Sequence, residues 1–370
     1  MELLSLKQAK KNINKNKKRN KRFSFIIGYI IIFASLVIII LLLYKALFKK
    51  SNNINVEKEF QNITKFDNQV MKKDIPPESF EKDIFDKIKN KLGLKSVIPV
   101  DELYFINGLI RQYQPKKILE IGVCSGGASA TILNAINDIE GAMLYSCDLE
   151  KKHYYKQDVE VGYIVKDYFP EFKNKWKLYT GNTTAAFIEE IGKDIDFAFI
   201  DSAHVMPGEV LNLIEILPFL KKNAIIAFDD INFQVKGHFY NMDYFYPCNN
   251  LLMSVLRGEK IVFQQTNTKI FTFSKLGAII LDDNQEKYYY EYFLLLSNNW
   301  SYMPREFEIK TIRNIVQKYY DDFYLQMYDK AVKVNYKRLQ KKGLLDKDYF
   351  LYTFPEKKNL RKRPSYNESL

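Results

Sequence analysis

The sequence predicts an α/β fold: a seven-stranded mixed sheet, five parallel strands closed by an antiparallel pair, with helices on both faces. Three observations carry this expectation. Short apolar runs alternate with helical patterns between residues 117 and 229, the order that builds a parallel sheet covered on two sides. Each run ends on glycine or a polar residue, which places the chemistry at the carboxyl ends of the strands. Residues 117–129, Lys-Ile-Leu-Glu-Ile-Gly-Val-Cys-Ser-Gly-Gly-Ala-Ser, join a strand to a helix through a glycine-rich turn.

The amino-terminal part precedes this pattern. Residues 1–22 hold nine Lys/Arg against one Glu, a basic cytoplasmic tail, and Phe23 to Tyr44 is uncharged and rich in Ile and Leu. Twenty-two helical residues suffice to cross a hydrocarbon core of roughly 30 Å, so an uncleaved transmembrane helix is expected there. No small-x-small cleavage site follows it. The basic tail lies before the span, so the positive-inside rule puts the amino terminus in the cytoplasm and the body outside. Supply of a cytosolic cofactor would favour the opposite side, and three widely spaced cysteines, too few for a disulfide framework, lean the same way. Net charge is +12, but the tail 356–370 adds five basic residues against two acidic ones, which leaves the body near neutral. That excludes a nucleic-acid footprint.

Residues 45–77 are rich in Asn and Lys and end in Pro76-Pro77, a juxtamembrane linker. Apolar residues every fourth position from Phe80 to Leu92 predict a helix, and a second is expected over 100–113. Expected strands are 117–122, 143–148, 176–181, 195–201 and 223–229, with helices at 127–137, 154–168, 183–191 and 207–221. A hairpin is expected over 260–266 and 269–275, turning at Asn267-Thr268, which completes a domain of residues 78–280. Residues 281–370 are an aromatic-rich helical extension, with one long helix from Pro304 to a stop at Gly343. A helical layer packed on the sheet is its plainest reading; a lid, a substrate-binding appendage or a homo-oligomer contact are others.

The turn departs from the dinucleotide fingerprint, because Cys124 stands where the second glycine belongs. Glu120 at the strand tip opposes a pyrophosphate and suits a ligand with an amino acid ammonium, such as S-adenosylmethionine. In that reading Gly122, Ser125, Gly126 and Gly127 let backbone approach the methionine portion. Asp148 is placed to accept ribose hydroxyls, and Asn182 or Thr183 to meet the adenine edge. Cys147 reads as an apolar filler. Asp201, Asp229 and Asp230 bring three carboxylates to one rim and need a counter-charge. A divalent cation such as magnesium would supply it and would lower a substrate hydroxyl's pKa; Lys151 or another basic residue is the alternative. His204 follows Asp201 by three residues, and histidine is the side chain suited to proton removal near neutral pH.

These residues resemble the class I S-adenosylmethionine-dependent methyltransferases over roughly Glu78 to Lys275, a Rossmann-like fold. Leu119–Ser129 is similar to the family's first motif. Asp196-Phe-Ala-Phe-Ile-Asp-Ser-Ala-His204 and Asn223-Ala-Ile-Ile-Ala-Phe-Asp-Asp230 resemble the metal-assisted O-methyltransferases of catechols and sugars. The resemblance implies that Asp201, Asp229 and Asp230 hold the metal and that His204 is the base. Two departures stand out: Lys222-Asn223 replaces a proline-glycine turn, and Asp230 stands where catechol-type enzymes often carry Asn. The expected function is therefore a membrane-anchored O-methyltransferase acting on a hydroxyl of a small molecule or glycan. A protein acceptor, or a non-catalytic cofactor-binding scaffold, are the alternatives.

Overall fold

The structure, a computed structural model, describes residues 100–153, 158–231, 246–262 and 275–345. The expected membrane helix at 23–44, the linker and the helix at 78–92 lie outside these residues. Among the described residues no helix is long and apolar enough to cross a membrane.

The five expected parallel strands are present: β1 Lys117–Ile121, β2 Met143–Asp148, β3 Trp176–Thr180, β4 Ile195–Ile200 and β5 Leu220–Phe228. With β6 Gly258–Val262 and β7 Gly277–Leu281 they form one sheet in the order β3-β2-β1-β4-β5-β7-β6. Strands β1 to β5 pair in parallel, and β7 runs antiparallel to both β5 and β6. A closing antiparallel pair is present as expected; residues 263–274, which include most of the expected hairpin and its turn at Asn267-Thr268, lie outside the described residues. Strand β7 begins at Gly277, where a β-carbon would fall 2.8 Å from the end of Met253 and 2.9 Å from the end of Ile231, so both side chains lie directly on the strand.

Helices α1 Val100–Tyr113, α2 Gly127–Ala135 and α3 Tyr163–Tyr168 are followed by α4 Ile188–Ile191, α5 Gly208–Ile216 and α6 Asn249–Val255. Three expected helices are shorter than their periodicity suggested. Within 154–168 only α3 is helical among the described residues, starting after Gly162 in a left-handed conformation (φ +73°). The pattern at 183–191 divides into a tight 3₁₀ turn, Thr184–Ala186, and α4. Helix α5 stops at Ile216, and a 3₁₀ turn, Leu217–Phe219, whose Pro218 has no amide hydrogen to continue the helix, leads into β5.

The strands bury alternate residues on opposite faces, which explains their unbroken apolar runs. On β4, Phe197 and Phe199 join the core under α1, α2 and α3, while Ala198 and Ile200 join the core on the other face. That second core includes most of the carboxyl-terminal region: α7 Tyr289–Leu294, α8 Glu306–Tyr319 and α9 Asp322–Lys341. The single long helix expected from Pro304 is broken at Tyr320 and Asp321, both extended. Tyr320 turns inward there, buried, and its hydroxyl donates to the Ile214 carbonyl at 2.7 Å. Gly343, at φ +64°, ends α9 as expected.

Candidate active site

The carboxyl ends of β1, β2, β4 and β5 form one continuous rim. The ladder extends one bond past the strands: Gly122 N–H to the Cys147 carbonyl (2.9 Å), Asp201 N–H to Ile121 (2.8 Å) and Asp229 N–H to Ile200 (3.1 Å). These bonds fix the backbone from which the polar side chains project.

The glycine turn is held from two sides. Asp148 Oδ2 accepts the Val123 and Cys124 amides, both at 3.0 Å, and Oδ1 accepts the Glu150 amide at 2.8 Å. From the other side, Gly162 and Ile164 donate to the carbonyls of Cys124 and Ser125. Gly126 lies so close to Gly162 that a β-carbon would sit 3.1 Å from its Cα. Asp148, expected at the ribose, thus also clamps the turn, with three of about four acceptor positions filled. Burial pushes its carboxyl up, against the pull of these amides.

Glu120 is wholly buried. Its Oε2 accepts the hydroxyls of Ser129 (2.7 Å) and Ser146 (2.6 Å), and Ser146 in turn accepts the Trp176 indole N–H. Oε1 has no hydrogen-bond partner among the described residues. Desolvation raises this carboxyl to about 7, despite the two serines. Glu215, buried beneath Thr183, is raised to about 7 for the same reason. Protonation of both is thus tighter in the folded state than in the unfolded chain. Their contribution is full below the ordinary glutamate value and is lost as pH rises through 7, costing about 3 kcal/mol for Glu120 alone. Glu120→Gln is expected to raise the thermal midpoint at pH 8.5 and leave it unchanged near pH 4.5, as calorimetric scans would read; equal shifts at both values would refute it.

The other expected cofactor residues divide. Ser125 is nearly buried at the turn. Gly127 opens α2, and nothing lies within 4 Å of the place its β-carbon would take. Among the described residues the amino terminus of α2 therefore opens on free space, and a helix amino terminus suits an anionic ligand group. Asn182 folds back onto the Thr183 amide (2.8 Å), and the Thr183 hydroxyl points inward to Glu215 (2.7 Å). The orphan Glu120 oxygen and the α2 amides fit the ammonium and carboxylate of S-adenosylmethionine.

On the β4–β5 side, His204 sits in a ring of carboxylates. Nε2 lies 3.6 Å from Asp201 Oδ1 and 3.7 Å from Asp230 Oδ2, and Nδ1 is 3.7 Å from Glu209 Oε1. Glu209, fully buried in the first turn of α5, also accepts the His204 amide (2.5 Å) and the Cys248 thiol (2.8 Å). His204 and Asp230 both adopt left-handed backbone, φ +62° and +51°, which turns their side chains toward one another's loops. Burial, with Asp229 and Asp230 nearby, holds the Asp201 carboxyl well above the usual range.

Among the described residues the counter-charge to this cluster is Lys275. Its ammonium is 2.9 Å from Asp229 Oδ2 and 3.7 Å from Asp230 Oδ1. Asp229 Oδ1 accepts the Asp230 amide at 2.7 Å, so each Asp229 oxygen already has a donor. A divalent cation needs several carboxylate oxygens at roughly 2.0–2.6 Å. Among the described residues no group of three or more His, Cys, Asp or Glu side chains is arranged to hold an ion. The residues therefore do not fit the metal expected on Asp201, Asp229 and Asp230. Lys151, the other candidate, lies across Gly181 at the end of β3.

The sequence reading missed Glu209, Lys275 and the Arg305–Glu150 pair. An acid in the first turn of the helix after His204 was a signal for Glu209. Lys275 carried a weaker one, a lone cation entering the apolar run of β7. Arg305 reaches Glu150, just past β2, from the start of α8, and no local pattern announces that contact.

Residues 119–231 match a family model described as a methyltransferase domain. Among solved structures, the chain is similar to the O-methyltransferase TomG of Streptomyces achromogenes in complex with SAM, at 14% identity over 56% of this chain and 91% of that one (TM-score 0.40). It is also similar to a Bacillus cereus O-methyltransferase in complex with SAH, at 15% identity over 58% and 96% (TM-score 0.41). A third, an SAH-bound methyltransferase of Podospora anserina, shares 15% identity over 61% and 97% (TM-score 0.38). Comparison with curated proteins gave no match. The strand-end geometry and the family model concern the same stretch: residues 119–231, which carry the rim from β1 to β5, are similar to a methyltransferase domain.

Proposed function

We propose that the chain is an O-methyltransferase that uses S-adenosylmethionine on a hydroxyl of a small molecule or glycan, with His204 as base. The observation that carries this is the placement of His204. It stands on the same rim as the glycine turn, and Glu209 fixes its loop through the backbone amide. Base, orienting acid and cofactor turn are the parts an oxygen acceptor needs.

Bound S-adenosylmethionine supplies a methyl group on a cationic sulfur. Glu120 and the α2 amides bind its amino acid end, and Asp148 holds the turn against which it lies. The cofactor would supply that methyl group to the acceptor oxygen. His204 takes the hydroxyl proton, and the surrounding carboxylates stabilise the imidazolium that results. Orientation supplies much of the remaining rate.

Residues 23–44 would tether this site to a membrane, which suits an acceptor presented there, such as a lipid-linked sugar. Deleting 23–44 should then move the protein to the soluble fraction, and compartment-sensitive reporters at the carboxyl terminus would read the side. For the activity, calorimetric titration of the full chain with S-adenosylmethionine should give one site of micromolar order. A folded protein that binds none would sink the proposal. Transfer of labelled methyl to hydroxyl acceptors, but not to amines, then assigns the oxygen chemistry.

A further inference from the structure

The acidic cluster at the ends of β4 and β5 meets a cation that belongs to the chain itself. We propose that Lys275 is the resident cation of this site: its ammonium occupies the place between Asp229 and Asp230 that a divalent ion would take, and the chain works without one. The inference rests on the methyltransferase reading of the site, though its test does not.

The geometry fixes Lys275 at both ends. Its carbonyl accepts the Ile231 amide at 2.9 Å, which ties its backbone to the residue after Asp230. Two residues on, Gly277 packs closely against the ends of the Met253 and Ile231 side chains. The lysine side chain reaches the carboxylates from this start of β7. That side chain is only 15% exposed, and those of Asp229 and Asp230 are 4% and 9% exposed.

Burial decides between the two cations. Two adjacent carboxylates this poorly solvated cannot both ionise without a positive partner. A tethered ammonium is present at an effective concentration far above that of a free ion. A divalent ion would have to displace it from both carboxylates, giving up the ion pairs that Asp229 and Asp230 already make. Asp229 offers a cation one oxygen, Oδ2, and Lys275 already holds it. Oδ1 accepts the next amide, and the Asp229 carbonyl accepts the Asn249 side-chain amide at 2.5 Å. An acceptor oxygen bound beside Lys275 would meet a fixed positive charge, which stabilises oxyanion character as a metal does.

Manganese titration of the full chain, read by electron paramagnetic resonance, tests this directly. The unaltered protein is expected to bind no manganese at the cluster below about 1 mM. Lys275→Met is expected to gain one site, at least about tenfold tighter, that disappears when Asp229→Asn is added. Stoichiometric binding to the unaltered protein that Asp229→Asn removes would overturn the proposal, and this arm stands even where Lys275→Met fails to fold. A folded Lys275→Met variant without the new site would overturn it equally. Failure of the methyltransferase reading has a different signature, the absence of S-adenosylmethionine binding whatever manganese does.

Discussion

His204→Asn is expected to lower kcat by about 10²–10⁴-fold while leaving the affinity for S-adenosylmethionine within about twofold. Asparagine is the substitution of choice because His204 has φ +62°, and asparagine tolerates left-handed backbone better than most residues. The Glu209 contact through the backbone amide survives the change, so the loop keeps its path. What is lost is an imidazole facing Asp201, Asp230 and Glu209. Asparagine cannot take a proton in its place. Single-turnover methyl transfer separates this from a binding defect, and calorimetry reads the cofactor affinity. A variant that retains more than about a tenth of the rate would remove His204 as the base. One that loses the cofactor as well would show a positioning role instead.

The second large effect is on folding. Gly122→Ala is expected to destabilise the protein by about 3–5 kcal/mol, or to prevent folding. Its new β-carbon would stand 1.8 Å from the Asp201 carbonyl oxygen and 2.6 Å from the carbonyl carbon. Both are backbone atoms held in the β1–β4 ladder, so no side chain can yield. The left-handed conformation, φ +90°, adds its own penalty. Gly127→Ala is the matched control, because nothing lies within 4 Å of its β-carbon and its φ is not positive. It should unfold in urea close to the parent protein yet bind S-adenosylmethionine more weakly, since the added methyl points into the space the cofactor needs. Equal stability of the two variants would contradict this account of the turn.

These two residues also show what could be read in the sequence. The sheet was legible because both its faces are buried, so β1, β2, β4 and β5 are dense apolar runs with a polar residue just beyond or at each tip. Gly122, Asp148, Asp201, His204 and Asp229 fall on the rim for that reason. The breaks in the helical patterns were harder. Tyr320 leaves the helix to put its hydroxyl on Ile214, a partner more than a hundred residues away, and local periodicity carries no trace of it. Thr183 was read as a ligand to the cofactor because it follows a strand end, yet a buried acid from α5 takes its hydroxyl. The cluster of acids was read correctly as needing a positive partner. Its supplier could not be identified, because a parallel sheet with one reversed strand brings Lys275 to Asp229 across 46 residues.

The segment between Trp300 and Arg305 joins two parts of the rim. Its Ser301 amide donates to the Met206 carbonyl at 2.8 Å, just past His204, and its Arg305 guanidinium pairs with Glu150, just past β2. Arg305 also begins α8, where Glu308 accepts its backbone amide. Beyond it, Asn335 on α9 accepts the Trp300 amide. The His204 loop and the loop after β2 are thus two corners of a closed linkage whose third side is the carboxyl-terminal helices. In a linkage of that kind no corner turns independently. The carboxyl-terminal helices therefore set the gauge between the His204 loop and the loop after β2, a dimension that residues 119–231 alone do not fix.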